Sequence, residues 1–293
     1  MRVLVTGAAG QVGREVVRLA GEAGVEAVGL GRAVLDVTDA AAVRDAVASV
    51  RPDAVVHTAA YTAVDRAESE PETAMAVNRD GARHVAEAAA DAGAALVHIS
   101  TDYVFDGTKD GPYAPDDPPS PVNVYGTTKA EGEAAVRDAH PSAVVLRTAW
   151  VISRYDGNFV STMWRLAAER PRLGVVADQW GHPTVAADLA RAALRAAERA
   201  RNGLSGVLHV AGSPLATWHD LARTAVEAGA RLGAVPEIPV DPIPTSDYPT
   251  PARRPQRVEL ALADSFAALD IDPFDWRASV EREARARFGP GPL

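Results

Sequence analysis

Hydrophobic and polar positions follow two periods in turn along the first half of the chain. Residues 3–6 are a short apolar, β-branched run with the character of a buried strand, and after T-G-A-A-G-Q-V-G the apolar positions Val16, Val17, Leu19 and Ala20 recur at helical spacing. The alternation continues. A strand is expected at 25–30, a helix at 40–49 that Thr38 or Asp39 can cap, and a strand at 54–57 after the break at Arg51-Pro52-Asp53. An alanine-rich helix at 72–92, a buried strand at 95–100, a helix at 127–139 and an apolar strand at 143–152 complete the series. Strand and helix in steady alternation predict an α/β fold with a doubly wound parallel sheet, whose ligand lies at the carboxyl ends of the strands.

Beyond residue 150 the pattern loosens. Helices are expected at 159–170 and 186–201 and a strand at 207–211, while 236–257 is proline-rich and irregular. The expected organisation is a Rossmann-type dinucleotide-binding domain at 1–150, rejoined by elements from about 175–212. The remainder of 151–293 forms a smaller C-terminal substrate-binding lobe. Segment 105–122, rich in glycine and proline, reads as a flexible lid.

Four stretches carry chemistry. Gly7, Gly10 and Gly13 form G-x-x-G-x-x-G directly after the first strand and at the start of a helix. Residues without side chains let the backbone turn tightly and approach a pyrophosphate, and the helix N-terminus supplies N–H donors. The second strand ends at Gly31-Arg32, where an acidic residue would suit the ribose hydroxyls of NAD; Arg32 suits a 2′-phosphate and favours NADPH, with NADH left open. In N-V-Y-G-T-T-K-A-E-G-E, Tyr125 and Lys129 stand four apart at the opening of a helix, so both can share one face. A cation beside a phenol favours the phenolate and makes a better acid of it. Ser100-Thr101-Asp102 sits at a strand end, where a hydroxyl can reach a ligand oxygen.

Composition narrows the chemistry. A net charge of −9 argues against a nucleic-acid partner, which a basic face would have to hold. The absence of cysteine removes disulfides, thiolate nucleophiles and cysteine-ligated metals, and fits a cytoplasmic setting. The seven histidines show no metal-ligand spacing, so no catalytic metal is expected. No apolar run approaches the ~20 residues that span a bilayer, so no membrane partner is expected either. Arg14 and Glu15 interrupt the opening apolar stretch too early for a signal peptide.

Taken together, T-G-A-A-G-Q-V-G, S-T-D-Y-V-F-D-G at 100–107, Y-G-T-T-K-A-E-G-E at 125–133, D-Q-W-G-H-P-T at 178–184 and Y-P-T-P-A-R-R-P at 248–255 resemble the extended short-chain dehydrogenase/reductases. Within them the chain is similar to the dTDP-4-dehydrorhamnose reductases, over nearly its full length. That resemblance implies reduction of the C4 ketone of dTDP-4-dehydro-L-rhamnose by NADPH. Tyr125 would be the proton donor, Lys129 would lower its pKa and bind the nicotinamide ribose, and Thr101 would hydrogen-bond the reacting sugar. Gly7, Gly10, Gln11, Val12 and Gly13 would cradle the pyrophosphate, Asp36 and Val37 would lie near adenine, and Ala60, Tyr61 and Thr62 would lie along the dinucleotide. Asp102, Trp150 and Arg253 would form the sugar site, although the pattern alone puts Trp150 in an apolar strand.

The chain departs from the family where Arg257 and Val258 replace an Asn-Ser pair and where Ala149 replaces a serine. The partner implied is a small nucleotide sugar, with a homodimer as a possible assembly. Three other readings stay open: reduction of another nucleotide-linked 4-keto deoxysugar, a dehydratase or epimerase, and a regulatory subunit without turnover. Tyr103 stands after Asp102 where the dehydratases carry a glutamate.

Overall fold

The strand Arg2–Thr6 (β1) lies inside a six-stranded parallel sheet because its side chains have apolar neighbours on both faces. The computed structural model describes residues 1–289. In the sheet, β1 is joined by Glu26–Leu30 (β2), Ala54–His57 (β3), Ala95–Thr101 (β4), Val144–Thr148 (β5) and the strand Gly206–His209. The order across the sheet is β2, β1, β3, β4, β5, Gly206–His209, so the winding reverses between β1 and β3. The crevice at such a reversal is where doubly wound sheets hold ligands.

Nine helices are used below: α1 Gln11–Glu22, α2 Ala40–Val50, α3 Val64–Ala67, α4 Pro71–Met75, α5 Ala82–Asp91, α6 Val124–Ala139, α7 Phe159–Glu169, α8 Ala186–Arg201 and α9 Trp218–Arg231. Alternate strand residues point to opposite faces. Val3, Val5, Val56 and Val97 therefore pack under α1 and the alanine-rich α8, while Leu4, Val55 and Leu96 pack under α2, α5 and α6. Each fully buried Val or Leu contributes about 1.5–3 kcal/mol relative to exposure. A further apolar cluster joins α7, α9 and the helix Trp276–Phe288.

The structure corrects several sequence expectations. The helix expected at 72–92 runs as α4, a π-helical stretch at Ala76–Gly81 and α5, because an extra residue is accommodated around Asn78. The strand expected at 143–152 is two strands: β5 in the main sheet, and Val151–Ile152, which pairs with Thr184–Val185 in another sheet. Segment 105–122 is a strap, not a lid. Tyr113 N donates to the Glu259 carbonyl at 2.7 Å, Ala261 N donates to that of Tyr113 at 2.8 Å, and Phe105 and Tyr113 are stacked and buried. Inside 236–257 lies the strand Val240–Ile243, paired with Leu173–Val176. Helices α9, Ala263–Leu269 and Trp276–Phe288 add to the elements expected from the sequence. Helix α9 is amphipathic and starts at a capping box, whereas Trp276–Phe288 has weak apolar contrast because Ser279 and Glu283 lie on its buried face.

Candidate active site

The glycine turn follows β1, and two of its positions, Gly7 and Gly13, admit no side chain. Gly7 has φ +67°, and a Cβ there would lie 2.6 Å from Ala59 N, while one at Gly13 would lie 2.5 Å from the Gly7 carbonyl oxygen. Gly10 caps α1 with no side-chain acceptor for its first-turn N–H groups, which leaves the positive end of the helix to an outside anion. These features fit a dinucleotide pyrophosphate.

The turn opens onto a cleft of about 690 Å³ that runs along the carboxyl ends of β1, β3 and β4. Gly7, Gly10, Gln11, Val12 and Gly13 line it from the turn, and Arg32, Asp36 and Val37 from the loop after β2. Ala60, Tyr61 and Thr62 line it from the segment after β3. Asp36 lies in irregular chain beyond β2. Its carboxyl is held below the usual range by hydrogen bonds from Thr38, with Arg32 adding a smaller effect.

Tyr61 is fixed from behind. Its N–H donates to Asn78 Oδ1 at 2.8 Å, and Asn78 Nδ2 donates to the Tyr61 carbonyl and to Thr128 on α6. The π-helical turn thus ties the cofactor-side segment to the helix carrying Tyr125 and Lys129. Gly132 permits the approach, since a Cβ there would lie 2.1 Å from the Asn78 carbonyl oxygen.

Asn123 starts α6 by accepting from Gly126 N at 2.7 Å, and its Nδ2 donates to the Arg253 carbonyl at 2.8 Å. One turn of α6 brings Tyr125 and Lys129 to the cleft, where Thr101 and Asp102 arrive at the end of β4. The Thr101 hydroxyl donates to Asp102 Oδ1 at 3.0 Å and accepts from Tyr103 N at 3.2 Å. Deeper in α6, Glu133 pairs with Arg147 of β5 at 2.7 Å and accepts from Ser100, so a buried ion pair fixes the helix to the sheet.

The electrostatics differ from the sequence expectation. Burial pushes the Tyr125 phenol up to about 12, opposed by the Thr101 hydroxyl and assisted by Asp102. Lys129 is not among the causes. Its ammonium donates to the Ile99 carbonyl at 2.7 Å and faces His98 Nε2 at 3.4 Å. Burial lowers Lys129 to about 8, with Glu133 pulling the other way. Burial also raises Asp102 to about 7, against hydrogen bonds from Thr101 and the backbone.

Trp150 lines the cleft between β5 and Val151–Ile152, where its φ of +43° turns the chain out of the main sheet. Arg253 lies apart: its side chain is exposed and does not line the cleft, and neighbouring Arg254 is held by Asp65 at 2.9 Å. The cleft is also lined by residues outside the motifs, including Arg66, Tyr103, Asn158 and Trp218. Tyr103 packs edge-on against Tyr125 at 5.8 Å. For Trp218 a usable signal existed, because Thr217 and Asp220 form a capping box around it. Among the described residues no cluster of three His, Asp or Glu side chains could hold a metal ion, and no helix is long and apolar enough to cross a membrane.

Comparison with known proteins follows the same lines. The family model described as the RmlD substrate binding domain matches residues 1–287. A dTDP-4-dehydrorhamnose reductase of Streptomyces griseus is 44% identical over 301 residues, covering 99% of this chain and 97% of that protein. One of Aggregatibacter actinomycetemcomitans is 40% identical over 285 residues, covering 96% and 97%. The crystal structure of a dTDP-4-dehydrorhamnose reductase from Clostridium acetobutylicum superposes with a TM-score of 0.89 at 35% identity, covering 98% of this chain and 99% of that one. That of a Bacillus anthracis dTDP-4-dehydrorhamnose reductase in complex with NADP gives 0.88 at 34% identity, covering 96% and 98%. Matched from end to end in sequence and in fold, the chain belongs to the dTDP-4-dehydrorhamnose reductase family.

Proposed function

We propose that this protein reduces the C4 ketone of dTDP-4-dehydro-L-rhamnose to dTDP-L-rhamnose with NADPH. The observation that carries this reading is the meeting of Tyr125, Lys129 and Thr101 in the cleft that the glycine turn also lines. When bound, NADPH supplies the hydride. Tyr125 holds the proton that passes from its phenol to the C4 oxygen as negative charge develops there, and the carbonyl becomes a secondary alcohol. Thr101 hydrogen-bonds that oxygen, and Asp102 and Trp150 help form the sugar site. Lys129, whose ammonium is fixed by the Ile99 carbonyl at 2.7 Å, holds the nicotinamide ribose. Gln11 is oriented for the pyrophosphate by Ser153, whose hydroxyl lies 2.6 Å from its Oε1.

The same chemistry divides the chain into a dinucleotide-binding domain at 1–150, rejoined by elements from about 175–212, and a sugar-binding lobe formed by the rest of 151–289; residues 290–293 of the expected lobe lie outside the described residues. Pairing of Gly206–His209 with β5 and packing of α8 on the sheet support it. The favoured cofactor is NADPH, since Arg32 lies in the cleft beside the loop after β2. We also propose action in the cytoplasm, and a homodimer as the assembly, which light scattering decides.

The test is incubation with dTDP-4-dehydro-L-rhamnose and each reduced cofactor. Stoichiometric loss of reduced-nicotinamide absorbance, with the C4 configuration of dTDP-L-rhamnose by NMR, is expected. A dehydratase or epimerase would recycle its bound cofactor without net consumption, and that result would overturn the reading. So would absence of turnover with any nucleotide-linked keto-sugar.

A further inference from the structure

Trp218 has no part in the reading above, yet it lines the same cleft as Tyr125 and Thr101. It is the first residue of α9, whose start is locked by the Thr217–Asp220 capping box. Its indole stacks on that of Trp150 with centroids 3.7 Å apart and planes 9° from parallel, and Phe159 leans on it at 4.7 Å.

The other face of Trp150 is also covered. A Cβ added at Gly181 would lie 2.5 Å from Trp150 Cε2, 2.7 Å from Cζ2 and 2.8 Å from Nε1. Nearly equal distances to three adjacent ring atoms put Gly181 over the ring and not at its rim. An indole stacked at 3.7 Å then has to lie on the opposite face. Trp150 carries φ +43°, a left-handed backbone that a bulky residue keeps only where its surroundings over-determine it. Gly181 on one side and Trp218 on the other are those surroundings.

We propose that Trp218 is a positioning and specificity-determining residue of the sugar subsite: it clamps the Trp150 indole against Gly181, so that the sugar meets a fixed aromatic wall. With both faces of Trp150 covered, the sugar meets the edge of the stacked pair, and Trp150, Trp218 and Phe159 bring no charged group there, which suits the C–H-rich surface of a deoxysugar. The identity of the sugar rests on the reductase reading; the clamp rests on the geometry of the two indoles and Gly181.

Two stacked indoles couple their electronic transitions, so the expected signature of the stack is an exciton couplet in the far-ultraviolet circular dichroism, its size set by the in-plane twist between the rings. Trp218→Ala abolishes the couplet and raises the sugar-nucleotide KM about tenfold, with kcat and NADPH affinity little changed. Trp218→Phe keeps a stacking ring and restores most of the KM. Calorimetry with dTDP-L-rhamnose and with dTDP needs no turnover: W218A weakens binding of the first and leaves the second unchanged. A failed wild-type reductase assay therefore overturns the reading above while the calorimetric arm still decides the clamp. Should W218A not fold, Trp218→Leu carries the same split against Trp218→Tyr, the leucine weakening sugar binding and the tyrosine preserving it. Unchanged sugar binding in W218A or W218L overturns the clamp, as does an equal loss for sugar and cofactor together with a lowered Tm.

Discussion

The two ends of the cleft are built by different means. The dinucleotide end is written largely in backbone: Gly7, Gly10 and Gly13 shape the turn by lacking side chains, and α1 presents uncapped N–H groups. The sugar end is written in side chains from separate elements, with Thr101 from β4, Tyr125 and Lys129 from α6, Trp150 from the link after β5 and Trp218 from α9. A site made of backbone is specified by a dozen adjacent residues, whereas a site made of side chains depends on how distant elements pack. Substitutions at the two ends should therefore fail differently.

The largest expected effect belongs to the sugar end. Tyr125→Phe removes the proton donor and should lower kcat by about 10²–10⁴-fold while NADPH affinity stays near wild type, as steady-state kinetics and fluorescence titration would read. Loss of cofactor binding together with turnover would erase the contrast between the two ends. Next comes the support beneath that end. Glu133→Gln leaves the Arg147 guanidinium buried without its counter-charge, and denaturant unfolding should lose about 3–5 kcal/mol.

At the dinucleotide end, Gly7→Ala must be accommodated by backbone, because every close neighbour of the added Cβ belongs to Thr58 or Ala59. The left-handed conformation and the overlap together cost about 2–5 kcal/mol, with NADPH affinity falling and the sugar-end residues untouched. Calorimetry with NADPH tests it, and wild-type affinity in G7A would break the account of the turn.

The smallest effect within the ordinary pH range is at Lys129. With its pKa lowered to about 8, the ammonium loses its proton as pH rises through that value, and kcat should fall about twofold between pH 7 and pH 8. Stability moves the other way. Between about 8 and the ordinary lysine value the unfolded chain binds more protons than the folded one, so this residue's contribution to stability rises with pH across that window. A pH–rate profile beside pH-dependent denaturation separates the two.

Legibility in the sequence follows the same division. The parallel sheet and the glycine turn were readable because periods of two and 3.6 residues and a G-x-x-G-x-x-G spacing are local. The strand Ala54–His57 and α8 fall at the expected residues. The strand break at Trp150 was hidden because every residue around it is apolar or small, and only the pairing of Val151–Ile152 with Thr184–Val185 reveals it. The strap at 105–122 looked mobile from its prolines and glycines, yet its anchor is Glu259 and Ala261, far along the chain. Lys129 beside Tyr125 suggested a direct effect on the phenol, but the helix turns the ammonium toward the Ile99 carbonyl. Trp218 is legible only as a cap neighbour, since its role depends on meeting Trp150 in space.

The most direct test uses NADPH deuterated at its transferable position together with dTDP-4-dehydro-L-rhamnose, followed by NMR of the sugar product. The expected product is dTDP-L-rhamnose carrying deuterium at C4, one label for each NADPH consumed. Unlabelled product, label at another carbon, or product formed without net oxidation of NADPH would contradict the proposed reduction.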